Sequence, residues 1–147
     1  MLFFVLLTVA VVIIVATTVG NITSSTANSD FFTVGIDEVP SVKLILGEVR
    51  DVISVSKSTS SGVVEMVVKY SVSSNQNEEM FVYATALCDD YEYYRLNDNN
   101  FERSTGRDFQ FATESVEDGY IVIVTIDYDT SGYTLTITRS SGTLTIQ

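Results

Sequence analysis

Two aspartates separated by one residue open the stretch of this sequence that most suggests chemistry. In "DYDTSGYTLTIT", Asp127, Asp129, Ser131 and Gly132 stand at the first, third, fifth and sixth places of a calcium loop. Oxygen ligands at alternate positions, with glycine at the sixth, let a short loop wrap a hard cation. The twelfth place needs a bidentate glutamate and holds Thr138 instead. The flanks read strand–turn–strand, so a hairpin turn is favoured, and Asp127 and Asp129 stand as a weak calcium candidate. "LCDDYEYY" and "NDNN" offer further oxygens that would ligate a cation if folding brought them together; solvated loops share that composition. Tyr91, Tyr93 and Tyr94, with Arg95, suit a sugar- or protein-binding surface, because tyrosine gives contact area at low entropic cost. The competing reading packs alternate tyrosines over a sheet face.

Other reactive groups are scarce. The chain has no histidine, which removes the easiest neutral-pH proton shuttle and the commonest metal ligand. Its single cysteine, Cys88, rules out an intrachain disulfide and ends an apolar run, where it reads as a small buried hydrophobe rather than a nucleophile. Nothing resembles a phosphate loop, a catalytic triad or a cysteine zinc site. The expectation is a protein that is not an enzyme and uses no cofactor. All 8 Lys/Arg and all 19 Asp/Glu lie between Asp30 and Arg139, so the net charge of −11 belongs to that part of the chain. Such a surface argues against nucleic acid, whose phosphates call for clustered Lys and Arg.

The elements that would position these groups read as short strands from Phe31 onward. "FFTVGI", "SVKLILGEV", "DVISVSK", "VVEMVVKYSV", "MFVYATALC", "RDFQFAT", "YIVIVTIDY", "YTLTITR" and "TLTIQ" are the candidates. From Tyr133 to Thr138, apolar and hydroxylated residues alternate, which sets one face on a core and the other in water. "DTSG" and "SSG" read as tight hairpin connections, and Pro40 as the start or edge of a strand. The spacing predicts an antiparallel two-sheet sandwich of about seven to nine strands with no helix after residue 30. Residues 89–107 read as a long polar excursion.

Ahead of that head stands "MLFFVLLTVAVVIIVATTVG", twenty residues without a charge and with Thr8, Thr17 and Thr18 as the only polar side chains. Apolar on every side, it predicts a helix that lipid or protein must surround. At 1.5 Å per residue it spans about 30 Å, the thickness of a bilayer core. Its Val, Ile and Thr content leaves a long buried strand as the other conformation. It lacks the basic start and the small-residue cleavage site of a secretory signal. "NITSSTANSD" then breaks the pattern as a hydroxyl-rich linker, with Asn21 in the sole N-x-[ST] sequon and therefore a glycosylation candidate. The expected organisation is an assembly helix over residues 1–22, a hinge over 23–30 and an outer domain over 31–147.

An apolar N-terminal segment, a short hinge and a β-rich head together resemble a type IV pilin-like subunit, of the archaeal pilin and archaellin branch rather than the bacterial one. Bacterial pilins usually carry Glu at the fifth mature position, where this chain has Val5. The resemblance implies an immunoglobulin-like sandwich head and an extracellular, cell-surface filament serving adhesion or motility. It also implies possible surface glycans, and a Met1 that is either the initiator or the first residue left after a short basic leader is removed. Under it, the segment waits in the membrane and then moves into a core of identical segments. Leu2, Phe3, Phe4, Leu6, Leu7, Val11, Val12, Ile13, Ile14 and Val15 are the expected core set. Heterologous contacts of that kind do not close and so give a homopolymer. Two alternatives stay open: a filament joined by strand donation, and a membrane-anchored surface protein whose β-sandwich binds a ligand.

Overall fold

A computed structural model describes residues 28–96 and 106–145. The expected assembly helix with its core set, the Asn21 sequon and most of the hinge lie outside the described residues.

The elements follow as β1 (Phe31–Val34), β2 (Asp37–Pro40), α1 (Val42–Leu46), β3 (Val52–Ser60), β4 (Val63–Ser71), α2 (Gln76–Asp89), β5 (Tyr94–Arg95), β6 (Gly106–Glu114), β7 (Tyr120–Asp129) and β8 (Gly132–Ser141). β1 and β2 form a hairpin, and the other six strands form one antiparallel sheet in the order β3-β4-β8-β7-β6-β5. This overturns the immunoglobulin-like sandwich. Among the described residues, only one face of the large sheet is covered, and α2, α1 and the β1–β2 hairpin cover it instead of a second large sheet. Among the described residues, no helix is long and apolar enough to cross a membrane.

Alternation within the strands explains the division of the faces. On β8, Tyr133, Leu135 and Ile137 are buried, while Thr134, Thr136 and Thr138 face the other side at intermediate exposure. Val122, Val124, Ile126 and Tyr128 of β7 and Met66, Val68 and Tyr70 of β4 join the buried set. The register aligns Ser56, Val67, Thr136, Thr125 and Gln110 in one row across the open face. The open face is mixed: Ser56, Thr136 and Thr125 are hydroxylated and Gln110 is polar, while Val67 and, on β7, Ile121 and Ile123 are aliphatic and half-exposed.

Two expected strands are helices, and each has a physical reason. In "SVKLILGEV", Ser41 caps α1 by accepting the Leu44 N–H on its Oγ at 3.1 Å, and Gly47 ends the helix in the left-handed region. In "MFVYATALC", the buried positions are Met80, Tyr83, Ala84 and Leu87, preceded by Gln76: a spacing of four, three, one and three, which is helical. Glu78 and Glu79 in the first turn suit the positive end of the α2 dipole. The "DTSG" connection is the tight hairpin expected, with Asp129 opposite Gly132. The "TLTIQ" segment lies past the end of β8, and its described residues form no strand.

The chain enters the head at β1, and that entry is tied down at several points. Lys57 Nζ donates to the Thr33 carbonyl at 2.8 Å, and the Tyr83 hydroxyl donates to the Pro40 carbonyl at 2.8 Å. Phe32, Val34 and Val39 are fully buried against the sheet. Each such side chain contributes on the order of 1.5–3 kcal/mol of burial free energy.

Candidate functional site

Two arginine clusters concentrate the charge of the covered face. The first joins the hairpin to the sheet. Asp37 opens β2 on the same inward parity as Val39, and Arg139 continues the inward series Tyr133, Leu135, Ile137 on β8. Their side chains are 7% and 8% exposed and meet at 2.7 Å between Arg139 Nε and Asp37 Oδ2. Asp37 also accepts the Ser115 hydroxyl at 2.7 Å and the Val116 N–H at 2.8 Å. Arg139 Nη2 reaches Glu117, and the guanidinium lies 4.0 Å from the centre of the Tyr120 ring. Every side of the buried pair is therefore occupied, as a buried ion pair requires if desolvation is to be offset. Burial works against the Arg139 charge, but the Asp37 and Glu117 carboxylates outweigh it and hold its pKa above the ordinary value. Gly35 completes the arrangement: its φ is +68°, and a Cβ there would stand 2.8 Å from Arg139 Cδ.

The second cluster lines a solvent-open cleft of about 620 Å³ between the α1–β3 loop and the start of α2. Arg50 donates through Nε and Nη2 to the two oxygens of Glu79, at 3.2 and 3.0 Å, and through Nη1 to Glu48 at 2.8 Å. Ser73 donates to Glu79 at 2.7 Å. The Glu79 and Glu48 carboxylates raise the Arg50 pKa beyond its already high value. Leu46, Val49, Val72 and Val82 give the cleft an aliphatic rim. Beneath it, Tyr133 lies close to Arg50, and Tyr70 stacks on it at 4.7 Å; among the described residues, the Tyr70 hydroxyl has no hydrogen-bond partner. Burial raises the pKa of both phenols.

The residues singled out from sequence are dispersed. Asp129 caps its own turn, its Oδ1 accepting the Ser131 N–H at 2.7 Å and the Ser131 hydroxyl at 2.6 Å. Asp127 lies on the open face of β7, in register with Thr134. Among the described residues, no group of three or more His, Cys, Asp and Glu side chains could hold a metal ion. Gly132 serves the hairpin rather than a cation: a Cβ there would stand 2.2 Å from the Tyr70 carbonyl oxygen. The tyrosine cluster divides, with Tyr93 buried, Tyr91 packed against the core and Tyr94 exposed on β5. Cys88 is half-buried on α2, and burial, with the adjacent Asp89 carboxylate, pushes its thiol pKa up. That is opposite to what a nucleophilic cysteine needs.

Neither arginine cluster was anticipated. The sequence signal for the first is a charged residue at the inward parity of a strand, at both Asp37 and Arg139; such a residue demands an opposite charge. Arg50 and Glu79 lie in a loop and at a helix start, and carry no such signal. No family model matches the chain, and neither the curated proteins nor the solved structures contain a match.

Proposed function

We propose that this chain is a non-enzymatic structural subunit of an extracellular filament, polymerising through its N-terminal apolar tract. The observation that carries this reading is the split of charge: none in the first twenty residues, and −11 over the rest. A tract of that kind has to be removed from water. Copies of itself do this outside the bilayer, and lipid does it before assembly. With a dozen or more large apolar residues at about 1.5–3 kcal/mol each, release into solution is strongly opposed. Acidic heads facing outward keep such polymers dispersed. Sugars at Asn21 would lie where the tract meets the head. Support now comes from the tract alone, since a single covered sheet replaces the sandwich head that the resemblance implied.

Ile13→Asp tests the reading by placing a charge inside the tract. Electron microscopy of material sheared from cells should show filaments for the parent chain and none for the variant. Unchanged filaments from Ile13→Asp would overturn the proposal.

The cleft beside Arg50 favours a second reading, a membrane-anchored head that binds a ligand. Under it, the full chain extracted in detergent stays monomeric and no filaments are found.

A further inference from the structure

We propose that heads of neighbouring copies join along the outer edge of β3, antiparallel and centred on Ser56. The two edges of the large sheet are built differently. At one, β5 is two residues long and β6 carries a register shift between Gly106 and Phe109, the short and irregular edge that discourages pairing. At the other, β3 runs for nine residues with no proline, and among the described residues no strand pairs with its outer side. Every residue of β3 is exposed or half-exposed.

Charge selects the partner and the register. Residues 52–64 contain no Asp or Glu, although the chain as a whole carries −11. Contact between two copies through this edge therefore avoids the repulsion that most other surfaces would bring. Lys57 is the one charge on the strand, and it points to the covered side, where it is bound to the Thr33 carbonyl. A pairing centred on Lys57 would set two ammonium groups opposite each other, which is unfavourable. Moving the centre to Ser56 places Lys57 opposite Val55 of the other copy and Ser54 opposite Ser58. Ser54, Ser56 and Ser58 then meet their counterparts across the joint on the open face, with Lys69, Val67 and Glu65 of β4 behind them. The shift in register between Val52 and Ser54 limits the pairing to the middle of the strand, so the contact is weak by itself. It becomes effective where an apolar tract holds many copies at high local concentration, in a filament or in a membrane alike.

Cross-linking of the full chain in cell membranes tests this, in a Cys88→Ser background. Ser56→Cys should be joined into dimers by a short bismaleimide several times faster than Lys69→Cys, which is exposed on the adjacent strand. A mixture of Ser54→Cys and Ser58→Cys chains should give the mixed dimer in preference to either self-dimer. Adding Ser56→Glu to that mixture should suppress it by setting two carboxylates opposite each other. Equal rates for Ser56→Cys and Lys69→Cys, or mixed dimers indifferent to Ser56→Glu, would overturn the proposal. Neither readout depends on whether filaments form.

Discussion

Arg139 and Arg50 each hold two carboxylates, one from the sheet side of the hairpin clasp and the other from the loop before β3, but their surroundings differ. Arg139 sits 8% exposed between Asp37, Glu117 and the Tyr120 ring, with Ser115 and Val116 completing the Asp37 shell. Arg50 sits 21% exposed at a cleft, with Glu48 largely in water. The first arrangement is closed and joins residues 102 positions apart in the chain. The second is open on one side and ties a loop to a helix start 29 residues away. One type of side chain thus serves as a fastening where it and its nearest carboxylate, Asp37, are buried, and as the lining of an accessible surface where it borders a cleft.

Alkali should have the largest effect and should reach both regions, because neither guanidinium titrates but buried tyrosines adjoin each: Tyr70 and Tyr133 lie beneath the open cluster, while Tyr83 donates to the Pro40 carbonyl and Tyr93 lies near Asp37. Burial raises the pKa of Tyr70, Tyr83, Tyr93 and Tyr133 above the ordinary phenol value. In the unfolded chain these groups lose their protons first, near pH 10, so the unfolded state binds fewer protons above that point. The stability they contribute is complete below about pH 10 and falls as pH rises toward the folded values. Phenolate absorbance from the buried set should therefore appear only together with loss of circular dichroism. A single smooth titration with the fold retained would contradict the burial of the tyrosine floor.

Breaking the clasp comes next. Asp37→Ala leaves Arg139 without its nearest carboxylate and the Val116 N–H without its acceptor, and should lower the melting temperature more than any change at Arg50. Gly35→Ala approaches the same clasp from the backbone. The left-handed φ alone costs an ordinary residue roughly 1–2 kcal/mol, and the Cβ also crowds Arg139. Thermal melts of the two variants and their combination should fall short of additivity, since both act on one contact.

How far these regions could be read beforehand depends on what covers a strand. Alternation in β8 correctly put Tyr133, Leu135 and Ile137 on a core and the threonines on the other face. The same alternation says nothing about whether a sheet or a helix supplies the cover, and the sandwich was the wrong choice. The helix that does so was concealed by Phe81 and Val82, apolar residues on its exposed side that erase the stripe formed by Met80, Tyr83, Ala84 and Leu87. Sequence left the tyrosines near residue 92 as either a binding surface or alternate side chains packed over a sheet face, whereas the backbone buries Tyr93, packs Tyr91 on the core and exposes Tyr94. Asp37 and Arg139 were legible in principle, because their strand parity points inward. Arg50 and Glu79 were not, because a loop and a helix start have no parity to read.

The smallest expected effect belongs to the open cluster, and it decides whether exposure is the operative difference. Arg50→Met keeps most of the side chain's length while removing both ion pairs. Glu79 remains bonded to Ser73 and borders a wet cleft, so it can recover hydration that Asp37 could not. The loss should be at most about 1 kcal/mol, the range of partly solvated pairs, and should shrink further as salt is added. Denaturant melts at low and high ionic strength measure both numbers. A loss from Arg50→Met that matches Asp37→Ala and does not change with salt would mean that the cleft is shut to water, and the two clusters would then be one kind of fastening.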